Sequence, residues 1–180
     1  AIEKDLLVVS DETYDQFLFD GEHISISTLP GMKERTIIVN STSKTFSMTG
    51  WRVGYAIGPK ELITYMNKVH QNMSTCATSF VQVGATAAFL HGKSFTEEMV
   101  KEFRVRRNLI MDGLSQVKGV DFVTPKGAFY IFPRIEKLGV PSTEFCSRVL
   151  ENTGVAMVPG NAFGSAGEGF IRLAYACSRD

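Results

Sequence analysis

Three short strand-like runs, each closed by polar or turn residues, constrain this chain more than any other feature. Leu6-Leu7-Val8-Val9 ends in Ser10-Asp11-Glu12, Thr36-Ile37-Ile38-Val39 ends in the polar stretch 40–44, and Val53-Gly54-Tyr55-Ala56-Ile57 is closed by Gly58-Pro59. A continuous apolar run, without alternation, suits a strand buried on both faces, as in a parallel sheet flanked by helices. In open α/β sheets, ligands bind beyond the carboxyl ends of the strands. The polar residues behind the first two runs are therefore where chemistry is expected.

From Lys60 onward the pattern turns helical, with Leu62, Met66 and Val69 at helical spacing and an Ala-rich, tightly packing helix over 79–90. Ser94-Phe95-Thr96-Glu97 has the capping-box pattern, in which each end side chain satisfies a free backbone N–H of the other. The helix it opens carries Met99, Phe103, Ile110, Leu114 and Val117 near one face and is expected to end at Gly119. The last third changes character: a strand rich in aromatics over 127–132, a short helix over 142–151, and strands over 155–158 and 170–174. Strand, helix, strand, strand in this order indicates a small α+β unit. The fold class expected is α/β, with a mostly parallel sheet and helices over residues 1–105, followed by most of an α+β domain over 106–180.

Composition removes several classes of function. Nineteen Lys+Arg balance nineteen Asp+Glu, so no net charge draws the chain to nucleic acid or to an anionic membrane. No apolar run is long enough to span a bilayer. The three cysteines form no CxxC pair, and His23, His70 and His91 lack metal-ligand spacing, so neither a disulfide framework nor a metal site is indicated. A reducing, cytoplasmic setting is expected by default. With 44% hydrophobic and 21% charged residues, a packed core is expected rather than disorder. The chain enters its first apolar run almost at once and stops just after another, so it reads as a segment of a longer polypeptide.

Two polar clusters follow the first two strands. One is Asp11 with Tyr14; the other is Ser41, Ser43 and Lys44, with Arg52 eight residues after the lysine. Serine hydroxyls and a guanidinium suit a phosphate. A desolvated lysine amine can attack an aldehyde. Asp11 can pair with a protonated ring nitrogen, and Tyr14 can bond a phenolate oxygen. A phosphate, an aldehyde, a pyridine nitrogen and a phenolate oxygen together describe pyridoxal phosphate.

The stretch Ser41-Thr42-Ser43-Lys44-Thr45-Phe46-Ser47-Met48-Thr49-Gly50-Trp51-Arg52-Val53-Gly54-Tyr55 resembles the lysine signature of class I/II aminotransferases of the aspartate aminotransferase fold. Ser10-Asp11-Glu12-Thr13-Tyr14 is similar to the family's D-x-x-Y element. Pro125-Lys126-Gly127-Ala128-Phe129-Tyr130, Val158-Pro159-Gly160-Asn161-Ala162-Phe163-Gly164 and Phe170-Ile171-Arg172-Leu173 are similar to its landmarks in the small domain. The motifs fall in the family's order and cover essentially the whole chain, which corresponds to the C-terminal portion of such a protein.

The resemblance implies that Lys44 forms an aldimine with pyridoxal phosphate and shuttles the proton. Asp11 would keep the pyridine nitrogen protonated, and Tyr14 would bond the phenolate oxygen. Ser41, Ser43 and Arg52 would hold the phosphate, and Arg172 would grip the substrate carboxylate. It further implies transamination between an amino acid and a 2-oxo acid, in a homodimer whose partner approaches the segment Thr78-Ser79-Phe80-Val81-Gln82. The family's glycine-rich phosphate loop and ring-stacking aromatic lie outside this segment, so residues 1–180 alone are expected to turn over little. Three alternatives stand beside this reading. A C–S β-lyase of the same fold would use Lys44, Asp11 and Arg172 equally, and a non-catalytic remnant of the fold would use none of them. Ser41-x-x-Lys44 also matches a serine acyl-transfer motif, but the companion S-D-N and K-T-G elements are absent, where the chain has Ser10-Asp11-Glu12 and Lys44-Thr45-Phe46.

Overall fold

In the computed structural model, which describes residues 1–179, the chain divides into two units, Ala1–Met99 and a second from Val100 onward. The first unit is built on a three-stranded sheet of β1 (Val8–Asp11), β2 (Thr36–Ser41) and β3 (Gly54–Ile57), in spatial order β1-β2-β3. β1 runs parallel to β2, with Asp11 opposite Val39; β3 returns antiparallel, with Gly54 opposite Ser41. The sheet is therefore mixed. Only residues 42–53 join β2 to β3, and they hold the single turn α1 (Thr42–Thr45) and a 3₁₀ turn, Thr49–Trp51, rather than a crossover helix. A link of that kind leaves the chain to return beside the strand it has just left.

β2 lies between the other two strands and buries Thr36, Ile37 and Asn40. β1 departs from the sequence expectation. It begins at Val8 rather than Leu6 and runs on through Asp11, and its first face is not buried: Leu6, Leu7 and Val9 are 54%, 61% and 69% exposed. It is an edge strand whose positions alternate between half-buried and exposed, the pattern of a strand covered on one face.

Three helices follow: α2 (Lys60–Met73), α3 (Ser79–His91) and α4 (Lys93–Ser115). α3 buries Val81 and Ala85. Its Gly84 lies under Trp51, so close that a Cβ there would fall 2.5 Å from Cζ3 of the indole. The capping box at Ser94 does not form. α4 starts at Lys93, and the Thr96 amide bonds back to the Gly92 carbonyl at 3.0 Å, so Ser94 is already helical. α4 also ends earlier than expected, at Ser115. Two further turns then lead to Gly119, whose φ of +84° lies in the left-handed region.

The second unit holds β4 (Tyr130–Ile131), α5 (Ser142–Thr153), β5 (Val158–Pro159) and β6 (Ile171–Ala174). The strands pair antiparallel in the order β4-β6-β5. The aromatic strand expected over 127–132 shrinks to two residues, because Ala128 takes φ +57° and breaks the extended run. The strand expected over 155–158 is likewise only Val158–Pro159, since β6 pairs with it through Arg172 and Ile171 alone. Alternation along β6 splits it into two faces. Ile171 and Leu173 point into a core with Ile135 and Cys146, packed by Val120, Leu138, Phe145 and Met157. Arg172 belongs to the opposite face. Among the described residues no helix is long and apolar enough to cross a membrane.

Candidate functional site

Parallel pairing of β1 with β2 places Asp11 and Ser41 at the same end of neighbouring strands. The Glu12 amide continues the ladder to the Val39 carbonyl at 2.9 Å. Ser41 then caps α1: its hydroxyl oxygen accepts from the Ser43 amide at 3.3 Å, and the buried Asn40 side chain accepts from the Ser41 amide at 2.7 Å. Two local hydrogen bonds thus define where β2 stops and the turn carrying Lys44 starts. The ammonium nitrogen of Lys44 sits 6.0 Å from the centre of the Tyr14 ring.

The return strand brings in Arg52. The Thr42 amide and hydroxyl both donate to the Val53 carbonyl, at 3.2 and 3.3 Å, so residue 52 lies beside the start of α1. Arg52 itself is left-handed, with φ +55° and ψ +48°, and its Nη1 donates to the Thr49 carbonyl at 2.8 Å. A non-glycine residue in this region carries backbone strain. The remaining guanidinium donors are available to an anion.

Asp11 is held from one side. Its Oδ1 accepts from the Thr13 hydroxyl and, at 3.1 Å, from the Thr13 amide. These bonds, the hydroxyl first, pull its carboxyl below the ordinary value against a small opposing effect of burial. Asp11 is an anion at neutral pH, and Oδ2 remains as an acceptor. Beside it lies a feature that sequence reading missed. Glu12, 8% exposed, accepts from Ser10 Oγ at 3.0 Å and Ser25 Oγ at 2.8 Å, with His23 Nε2 at 2.9 Å. Burial pushes its carboxyl up, but hydrogen bonds from His23, Ser25 and Ser10 outweigh that and leave it below the ordinary value. The network ties the loop after Asp20 to the end of β1. The glutamate next to Asp11 was visible in the sequence, but its partners His23 and Ser25 lie 11 and 13 residues on, beyond any motif.

The first unit therefore brings together Asp11, Tyr14, Ser41, Ser43, Lys44 and Arg52 at one end of its sheet. Arg172 is in the second unit, on β6, and its surroundings were not foreseen. Its guanidinium carbon lies 4.6 Å from the centre of the Tyr130 ring and 4.4 Å from that of Phe163. Tyr130, Phe129 and Phe132 are all at least partly accessible. Among the described residues no His, Cys, Asp and Glu cluster could hold a metal ion, and the cysteines are free: Cys76 and Cys177 exposed, Cys146 buried.

The donor set fits pyridoxal phosphate in its chemistry. It offers an amine, an anionic carboxylate with a free oxygen, a phenol, two hydroxyls and a guanidinium at one strand end.

The family described as aminotransferase class I and II matches residues 1–180. An aspartate aminotransferase of Pyrococcus abyssi is 48% identical over 98% of this chain and 46% of its own length. The aromatic-amino-acid aminotransferase 2 of Thermococcus litoralis is 45% identical over 98% of this chain and 46% of its own. The crystal structure of an aromatic aminotransferase from Pyrococcus horikoshii superposes with a TM-score of 0.94 at 47% identity, covering 98% of this chain and 48% of that one. The chain spans about half the length of the curated relatives it matches. With a family match over its whole length and an α/β fold shared with solved aminotransferases, the chain belongs to the class I and II aminotransferases.

Proposed function

We propose that the protein to which these residues belong carries out pyridoxal-phosphate-dependent transamination between an amino acid and a 2-oxo acid, in a cytoplasmic homodimer. The observation that carries this reading is the convergence of Asp11, Ser41 and Lys44 at one end of β1 and β2, with Lys44 6.0 Å from the Tyr14 ring centre. When bound, the cofactor supplies an electron sink for the charge left when an amino acid loses its Cα proton.

The chain's own residues divide the remaining work. Lys44 would supply the amine that holds the cofactor and that takes up and returns the substrate proton. Asp11, kept ionised by Thr13, would hold the protonated ring nitrogen of the cofactor. Tyr14 would donate to the phenolate oxygen. The Ser41 and Ser43 hydroxyls and Arg52 would hold the phosphate, and Arg172 would bind the substrate carboxylate in a two-pronged pair. The exposed Phe80, at the start of α3, lies in the segment assigned to the partner subunit's approach.

The test is an absorbance spectrum of the full-length protein with pyridoxal phosphate, before and after adding alanine, aspartate, glutamate, tyrosine or phenylalanine, and again after adding 2-oxoglutarate. A visible chromophore that an amino acid bleaches and a 2-oxo acid restores supports transamination. With an S-alkylcysteine as substrate instead, release of thiol, pyruvate and ammonia without need of a 2-oxo acid would identify a β-lyase. A colourless protein indifferent to pyridoxal phosphate would sink both readings.

A further inference from the structure

Arg172 is held in an unusual way for an arginine that has to recognise an anion. It projects from β6 on the face opposite the Ile171–Leu173 core. The register pairs Tyr130 with Ala174, which makes Tyr130 the diagonal neighbour of Arg172 on that same face. Val158 pairs with Arg172 from the other side, and the chain then turns through Gly160–Phe163 to bring the Phe163 ring over the guanidinium. Phe163 is in turn met edge-on by Phe132, at 6.0 Å between ring centres, and Phe132 stacks on Phe170 at 5.3 Å and 9°. Among the described residues no carboxylate pairs with Arg172.

A long arginine side chain loses considerable rotamer freedom when it binds, and that loss weakens the complex unless the side chain is already fixed. A carboxylate neighbour would fix it but would also cancel the charge the substrate needs. Two aromatic rings fix it through cation–π attraction and leave the charge uncancelled. They also exclude water from part of the guanidinium, which strengthens its pairing with an incoming carboxylate.

From this geometry we infer that Tyr130 and Phe163 are positioning residues for Arg172, holding its guanidinium immobile and unneutralised so that it can receive the substrate carboxylate. The inference rests on the transamination reading for its substrate, while the clamp itself is a property of the second unit.

Two measurements on the full-length protein test it. The first uses phenylglyoxal, which modifies accessible arginines, with peptide mass spectrometry to follow Arg172. Phe163→Leu and Tyr130→Leu are expected to speed its modification roughly threefold or more, the scale of a lost cation–π contact. Phe163→Tyr and Tyr130→Phe, which keep the rings, should restore the slow rate. The second is steady-state kinetics with whichever of the five amino acids turns over fastest. KM for the amino acid is expected to rise roughly three- to ten-fold in the leucine variants, and more than kcat falls. Pyridoxal phosphate affinity serves as the control and should stay with the wild type. Unchanged Arg172 labelling, or an unchanged KM in variants that bind the cofactor normally, overturns the inference. Failure of the wild-type protein to bind pyridoxal phosphate would instead overturn the transamination reading, and with it the role of the clamp.

Discussion

The hydroxyl of Thr96 donates to the carbonyl of Thr45 at 2.8 Å, across 51 residues of sequence, and both residues are buried. Thr45 directly follows Lys44 and closes α1, so this bond ties the lysine turn to the first turn of α4. The same hydroxyl oxygen lies 3.2 Å from the Gly92 carbonyl, which shares its single proton. Replacing Thr96 by Val keeps the shape and removes the donor, leaving the Thr45 carbonyl without this partner. The expected loss is about 1–3 kcal/mol, and Thr96→Ser should lose clearly less. Urea unfolding of both variants checks this; equal stability of Thr96→Val and wild type would remove the tie from the account.

Glu12 sets a pH dependence. Its folded carboxyl lies below the ordinary value because the bonds from His23, Ser25 and Ser10 outweigh burial. A group depressed in the folded state contributes stability that is present above its unfolded pKa and is lost as pH falls through the folded value. Stability should therefore decline on acidification from about pH 5.5 to 3.5, the region of an unfolded glutamate. In Glu12→Gln the decline over that interval should be shallower, with lower stability at pH 7. Urea midpoints measured across the interval decide it. A Gln variant with an unaltered slope would show that Glu12 does not titrate in the folded protein as described.

Gly160 opens the turn that carries Phe163. A Cβ at this position would meet the Gly167 carbonyl oxygen at 2.1 Å and the Phe170 carbonyl oxygen at 2.7 Å. Both are backbone atoms, and the Gly160 amide itself bonds to the Phe170 carbonyl at 2.8 Å, so neither side can yield without breaking the ladder. Gly160→Ala is expected to cost about 2 kcal/mol or more. Thermal unfolding tests it, and phenylglyoxal labelling of Arg172 should quicken alongside as Phe163 shifts. Wild-type stability would contradict the close approach of these strands.

The groups at the strand ends were legible because local pattern determines them. An uninterrupted apolar run into Asn40 and Ser41 marks the end of β2, and the Ser41 cap then sets the turn on which Lys44 sits. The same logic misjudged β1. Whether Val9 is buried depends on what covers an edge strand, and the run of residues looks alike in either case. It misjudged Ser94 because the Gly92 carbonyl was already there to take the Thr96 amide. It missed what holds several of the polar groups. Thr13 on Asp11 is two residues away and was readable as an Asx turn. His23 and Ser25 on Glu12, and Tyr130 and Phe163 on Arg172, follow from register and loop path, which short-range periodicity does not carry.

The most direct measurement is covalent trapping of the cofactor. Full-length protein incubated with pyridoxal phosphate, reduced with borohydride and digested, should yield one peptide bearing the reduced cofactor, with the label on the Nζ of Lys44. Lys44→Ala should yield none, although it should still retain pyridoxal phosphate noncovalently through Ser41, Arg52 and Asp11. Label on a different lysine of the wild-type protein, or equal labelling of the alanine variant, would contradict the assignment of this strand end as the cofactor site.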